Sequence, residues 1–169
     1  MDAAGREPAA AAVTGLLLAA SLIAVALLGT SLGVHVSGVA ALNPALRALD
    51  APAYVAVKQS ADLCFPALMR PLTLAGLVAL LAQCVLGWLD GETGVAALAG
   101  TGLVAALVAL VAVLRGDLPI NERMAGWQGD DPPADWRTWQ ARWERYFRLR
   151  TLATTIAFLS ALAGLAVLP

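Results

Sequence analysis

The residue types best suited to chemistry are one histidine and a few polar groups near the ends of long apolar runs. His35 lies within such a run, and an ionisable group at membrane depth is a functional candidate by default. The alternative is a neutral imidazole hydrogen-bonded to a carbonyl or to Ser31, one helical turn away. A lone histidine with no thiolate or carboxylate at ligand spacing does not make a zinc or iron site. The sequence therefore predicts no metal site and no bound cofactor.

Other polar groups are expected to gather near His35 at one end of a helical bundle. Lys58 and Asp62 are four residues apart and can pair on one helix face. Asn121 follows an apolar run directly, where it could instead cap the helix or begin a turn. Such groups, beside an aromatic wall, would form a pocket, although polar residues also collect by chance at the ends of a bundle. The predicted set also contains Arg123, Tyr146 and Arg150.

An aromatic stripe with a spacing of three and four residues predicts a helix over 134–150 with one aromatic face. In one interpretation, Trp136 and Trp139 form a membrane-interface belt and the arginines contact lipid phosphates. In the other, the stripe continues inward toward the last apolar segment and forms the wall of a substrate site. The residues assigned to substrate contact are Lys58, Asp62, Trp139, Trp143 and Phe147.

The composition indicates a membrane protein, because 60% of the 169 residues are hydrophobic and only 14% are charged. Soluble domains are about half apolar and about a quarter charged. The excess lies in long uninterrupted runs, which are typical of membrane spans. We therefore predict an all-α, four-transmembrane-helix bundle that forms a single membrane domain over 1–169 and carries cytoplasmic helical extensions. The predicted spans are about 11–42, 72–89, 94–114 and 148–168, with a polar connection and helix at 118–150.

The positive charges predict the orientation of a multi-pass protein in the cell membrane. Ten of the 11 Lys and Arg residues lie in the first and third connections, whereas Arg6 alone lies on the other side. The second connection contains Asp90 and Glu92 but no base. The positive-inside rule then places both termini outside and the candidate site at the cytoplasmic end. Arginines that belong to a functional site would indicate the membrane orientation less directly, because binding rather than topology would fix their positions.

Several classes of protein are disfavoured. Cys64 and Cys84 would be about 30 Å apart on one helix, too far for a disulfide, and the absence of a CxxC argues against a thiol oxidoreductase. The basic residues are interleaved with acids and tryptophans, which disfavours nucleic-acid binding. Four spans without an evident inverted repeat disfavour a transporter, although a homodimer would change that argument.

Three sequence elements resemble the anthrone oxygenase-like family of small integral membrane proteins, most of which belong to a domain of unknown function. The resemblance covers most of the chain. One departure is Phe147, where many members carry a histidine. The matching elements are LPINERM at 118–124, DWRTWQARWERYFRLRT at 135–151, and NPAL at 43–46 with the helix over 54–81.

The resemblance implies an integral membrane monooxygenase of polyketide biosynthesis that oxidises an anthrone-like or other lipophilic aromatic substrate with O₂ and without a cofactor. Under this hypothesis His35 is the general base, and Arg123 and Arg150 stabilise the enolate. Asn121 and Tyr146 donate hydrogen bonds to the enolate. The alternative is a non-catalytic membrane module that binds a lipophilic small molecule or scaffolds a partner protein. In either case membrane lipids are expected partners.

Overall fold

The computed structural model describes residues 3–129 and 131–168, with side chains from Ala11 onward. The side chain of Arg6, which supports the predicted orientation, lies outside the described residues. The described chain is almost entirely helical and shows no strand. In chain order the elements are α1 (Ala3–Ser37), a π-helical turn (Gly38–Leu42), α2 (Asn43–Arg47), α3 (Ala51–Leu89), α4 (Thr93–Ala112), a second π-helical turn (Val113–Asp117), α5 (Leu118–Ala125) and α6 (Trp136–Ala166).

Four continuous helical segments are long and apolar enough to cross a membrane, which confirms the predicted all-α four-helix bundle. Each segment contains an uncharged stretch of about 18 to 24 residues, or about 27 to 36 Å, close to the roughly 30 Å of a hydrocarbon core. The chain is thus indicated to be a multi-pass membrane protein. The uncharged stretches are 11–34, 71–89, 94–114 and 151–168.

The four long helices form a closed ring. α1 and α4 each pack against both α3 and α6. The membrane half of the core consists mainly of alanines around Leu28 and Leu80. Small residues let helix backbones approach closely in a membrane, where apolar association gives little driving force.

The other half of the core is aromatic and lies at the end formed by α2, the start of α3, α5 and the start of α6. We call this the arginine-rich end. Tyr54 packs on Trp136 with ring centroids 5.1 Å apart, and Trp143 packs on Phe147 at the same separation. Met124 and Ile120 of α5 fill the space between these helices. The helices therefore remain packed together beyond their uncharged stretches.

The helices extend further than the predicted spans. Asn43-Pro44, which directly follows the first predicted span of about 11–42, lies within a continuing helix, and the chain turns only after Arg47. A proline lacks the N–H of the helical ladder and clashes with the carbonyl four residues earlier. The π-helical turn relieves this clash, because Asn43 bonds to the carbonyl of Gly38, five residues back.

The second π-helical turn precedes Leu118-Pro119 and accommodates this proline in the same way. The N–H of Leu118 bonds to the carbonyl of Val113, and α4 continues into α5 without a break. The predicted helix over 134–150 corresponds to the first half of α6, which begins at Trp136. The start of the predicted polar connection, 118–125, is α5 and completes the third long segment, whereas 126–129 and 131–135 consist of turns, bends and irregular backbone.

Candidate functional site

A cavity of about 350 Å³ lies between the four helices, at the junction of the alanine core and the aromatic core. Its volume falls within the range of small-molecule sites. Most of its walls are apolar, and its polar side chains come from all four long segments. These polar residues include His35 from α1, Lys58 and Asp62 from α3, Asp117 and Asn121 from the end of the third segment, and Arg150 from α6.

Lys58 is the most deeply buried cation of the cavity, with 2% of its side chain exposed. Its ammonium donates to both carboxylate oxygens of Asp62 and, at 2.8 Å, to Oδ1 of Asn121. It also lies 4.7 Å from the ring centroid of Trp143. The predicted pairing of Lys58 with Asp62 is confirmed. Because an ammonium has three donors, Lys58 is fully satisfied by these three oxygens and fixes their positions.

The second buried cation, Arg150, pairs with Asp117. Its Nη1 donates to Oδ2 of Asp117, and the guanidinium carbon lies 4.3 Å from the ring centroid of Phe147. Arg150 is 18% exposed and the side chain of Asp117 only 2%. Breaking one member of such a buried pair would leave an uncompensated charge, so the two side chains hold each other at the cavity wall.

His35 faces the same cavity from α1. Its ring meets Phe147 edge to face, with centroids 5.8 Å apart. The residue is buried, and its Nδ1 has no hydrogen-bond partner among the described residues. The alternative interpretation, in which Ser31 or a backbone carbonyl satisfies this nitrogen, finds no support in the hydrogen bonds of the described chain.

Four cavity-lining residues carry a buried polar atom that has no hydrogen-bond partner among the described residues. Buried polar groups in native proteins are nearly always hydrogen-bonded, and each exception calls for an explanation such as a water or a ligand. All four belong to residues that line one cavity, and each atom is covered by its neighbours in the structure. The atoms are Nδ1 of His35, Oδ1 of Asp117, Nε1 of Trp143 and Nε of Arg150.

Both π-helical turns border the cavity, and each brings a glycine against an aromatic ring of α6. A Cβ built on Gly38 would overlap the ring of Phe147, and one built on Gly116 would overlap the ring of Tyr146. Single π-helical turns within α-helices occur frequently at functional sites. Here the second turn contributes Asp117 to the cavity wall.

On one side the cavity is bounded by the least packed part of α3. No residue of 59–75 is buried, and this stretch contains both Pro66 and Pro71. Leu74, which lines the cavity, is 60% exposed. Because residues 71–89 are uncharged, this side of the cavity faces the region that the hydrocarbon would occupy.

The structure brings seven of the ten predicted site residues to the cavity. Arg123, Trp139 and Tyr146 are not among its lining residues. Arg123 and Trp139 line a separate pocket on the α5–α6 surface, and Tyr146 packs against Gly116. For Trp139 and Tyr146 the cause is the helical phase of α6, whose buried positions run through Gln140, Trp143, Glu144 and Phe147. Arg123 is an exposed residue of α5.

Sequence reasoning missed Asp117, the partner of Arg150. The available signal was its position four residues before Asn121, which puts both side chains on one helical face. A second missed contact joins Arg47 to the buried carboxylate of Glu144, at 2.9 and 3.0 Å from Nε. It ties α2 to α6 at the arginine-rich end.

Across the described residues, no group of three His, Cys, Asp or Glu side chains is placed to hold a metal ion. Cys64 and Cys84 are both free. Comparison with family models, with curated proteins and with solved structures finds no match to this chain.

Proposed function

We propose that the chain is an integral membrane oxygenase that acts on an anthrone-like or other lipophilic aromatic substrate with O₂ and without a cofactor. The observation that supports this most is a largely apolar cavity holding an imidazole, two buried cations and two carboxylates, four of whose residues carry polar atoms without a partner among the described residues. The apolar walls suit a flat hydrocarbon ring system, and the polar cluster suits a substrate that becomes an anion.

The proposed reaction begins with proton removal. An anthrone has acidic hydrogens on the methylene carbon opposite its carbonyl, and in this proposal Nδ1 of His35 accepts one of them. The negative charge then moves to the carbonyl oxygen, where Arg150 and Lys58 stabilise the enolate. Asn121 holds Lys58 in position, and Trp143 and Phe147 provide the aromatic wall.

The enolate is electron-rich enough to pass an electron to O₂. The methylene carbon loses both hydrogens and gains one oxygen atom, and the second oxygen atom leaves as water. The substrate is thereby oxidised to a quinone while O₂ is reduced. Arg123, Tyr146 and Trp139 have no part in this proposal, because their side chains do not line the cavity.

One observation favours the non-catalytic alternative, a module that binds a lipophilic small molecule. Lys58 and Arg150 are each already paired with a carboxylate of the same cavity. A site whose cations are neutralised in advance suits a neutral ligand as well as it suits a developing anion. Turnover, rather than binding alone, separates the two functions.

The test is oxygen uptake by the purified protein in detergent with an anthrone as substrate. We expect His35→Ala to lower turnover at least about a hundredfold. Val36→Ala, an exposed neighbour outside the cavity, should leave turnover unchanged. Gel filtration and thermal unfolding verify that both variants fold. Unchanged turnover in His35→Ala removes His35 from the mechanism, and saturable binding without oxygen uptake supports the binding module.

We also propose that both termini lie outside the cell and that the cavity lies near the cytoplasmic face. The asymmetry of charge supports this orientation. The turn between α3 and α4 contains Asp90 and Glu92, whereas the opposite end of the bundle carries most of the arginines. Cytoplasmic loops carry the excess of positive residues in most membrane proteins.

A further inference from the structure

A second pocket lies on the outer surface of the bundle, between α6 and the third long segment. Its volume is about 290 Å³, and it is separate in location and lining from the central cavity. Its charged and aromatic lining residues are three arginines and one tryptophan: Arg115, Arg123, Arg142 and Trp139. We call it the arginine pocket.

The arginine pocket gathers three guanidinium groups beside one carboxylate, that of Asp135. Arg123 and Arg142 both pack on the ring of Trp139, with their guanidinium carbons 4.3 and 5.5 Å from its centroid. Trp139 is held in turn by donation from its Nε1 to Asp135, at 2.9 Å. Within the described chain no carboxylate forms an ion pair with any of the three arginines. The same holds for the exposed arginines of α6, so that the shared tryptophan ring is what distinguishes the pocket.

The position of the arginine pocket indicates the source of the missing anion. Arg115 immediately follows the uncharged stretch 94–114, which places it at the level of the lipid headgroups. Val104, Val108 and Val111, which lie in the uncharged stretch before Arg115, are exposed. Their spacing of four and three residues, followed by four to Arg115, puts all four on one face of the helix.

We propose that the arginine pocket binds the phosphate of an anionic phospholipid, with an acyl chain lying along the exposed valines. Guanidinium groups bind phosphate oxygens through paired N–H donors, and their planar shape allows them to stack on Trp139 at the same time. The site is independent of the proposed oxygenase activity.

The first test is native mass spectrometry of the full chain in detergent, titrated with dioleoylphosphatidylglycerol. The variant Arg115→Gln/Arg123→Gln/Arg142→Gln should bind this lipid at least about tenfold more weakly than the wild type. The matched control, Arg137→Gln/Arg145→Gln/Arg148→Gln, removes equal charge from exposed positions of α6 outside the pocket. It should stay within about twofold of the wild type.

An equal loss of binding in both triple variants would overturn the proposal, because it would mean diffuse attraction to a basic surface. Displacement of the lipid by millimolar inorganic phosphate would also overturn it, since the acyl chain would then contribute nothing.

A second test uses the wild-type chain and needs no variant to fold. Phosphatidylglycerol with a photoactivatable diazirine in its acyl chain should cross-link mainly to the segment 104–115. Cross-links spread evenly over the exposed faces of all four helices would contradict a defined lipid site.

Discussion

The ring of Phe147 occupies the space that a side chain at position 38 would need. Gly38 begins the first π-helical turn, and a Cβ built there would overlap the ring. The same ring contacts His35 edge to face and lies under the guanidinium of Arg150. The close approach of α1 to α6 at this glycine therefore sets the position of two polar groups of the cavity.

Gly38→Ala should destabilise the protein, because the ring must move within a packed core. Overfilling a core costs about 1 to 3 kcal/mol, which exceeds the gain of about 1 kcal/mol at most from replacing glycine by alanine in a helix. Thermal unfolding in detergent measures the difference, at about 2 to 4 °C per kcal/mol for a chain of this size.

Gly33→Ala is the matched control on the same helix, because a Cβ at Gly33 meets no atom within 4 Å. It should leave the melting temperature unchanged or raise it slightly. Equal melting temperatures for the two variants would mean that Phe147 adjusts freely and does not fix the position of α1.

The buried pair of Asp117 and Arg150 leads to a second prediction. Asp117→Ala leaves a buried guanidinium without its partner, and breaking such a pair costs about 3 to 5 kcal/mol. The double variant Asp117→Leu/Arg150→Met removes both charges and should recover most of that stability. Chemical unfolding of the three proteins in mixed micelles gives the comparison. A double variant no more stable than Asp117→Ala would show that the loss comes from packing rather than from the unpaired charge.

Sequence reasoning succeeded where a contact is local. The pairing of Lys58 with Asp62 follows from a spacing of four residues on one helix, and the structure contains it. The four membrane helices follow from uninterrupted apolar runs, whose lengths alone match a bilayer. These features need no knowledge of how the helices pack.

Contacts between distant elements were not predictable in the same way. Asp117 and Arg150 are 33 residues apart, and their meeting depends on the π-helical turn that rotates Asp117 toward the core. The spacing of the aromatic residues, including Trp139 and Tyr146, predicts a single hydrophobic face on α6. A face wide enough to bury this helix contacts two neighbouring helices. Which residues of that stripe face the cavity depends on the rotation of α6, and Tyr146 instead meets Gly116.

The loosely packed part of α3 gives a third prediction, about the route of a lipophilic substrate. Thr73 lines the cavity within 59–75, so that Thr73→Trp should narrow the opening toward the membrane. The indole would fill space that the substrate otherwise uses, so kcat/KM should fall, by about tenfold for every ~1.4 kcal/mol of substrate binding that is lost. The effect should appear mainly in KM, since the bulky residue hinders binding and leaves the reacting groups in place.

Ala75→Trp is the control for substrate access. Ala75 is exposed two residues further along α3 and does not line the cavity. Oxygen-uptake kinetics, or ligand-binding rates if no turnover is found, should be close to the wild type in this variant. Equal effects of the two tryptophans would indicate a general disturbance of α3 and not a blocked opening.

The charge asymmetry between the two ends of the bundle leads to a fourth prediction, about orientation. In a background with Cys64→Ser and Cys84→Ser, single cysteines can be placed at Thr93, between the second and third spans, and at Gln128, between the third and fourth. Both positions are exposed. Because most basic residues lie at the end that contains Gln128, the positive-inside rule predicts that Gln128→Cys faces the cytoplasm. A membrane-impermeant maleimide should label Thr93→Cys in intact cells and Gln128→Cys only after permeabilisation.

The reverse pattern would place the arginine-rich end outside the cell. It would also mean that these arginines are retained for binding phosphate or substrate, since they would then oppose the orientation that their charge normally directs.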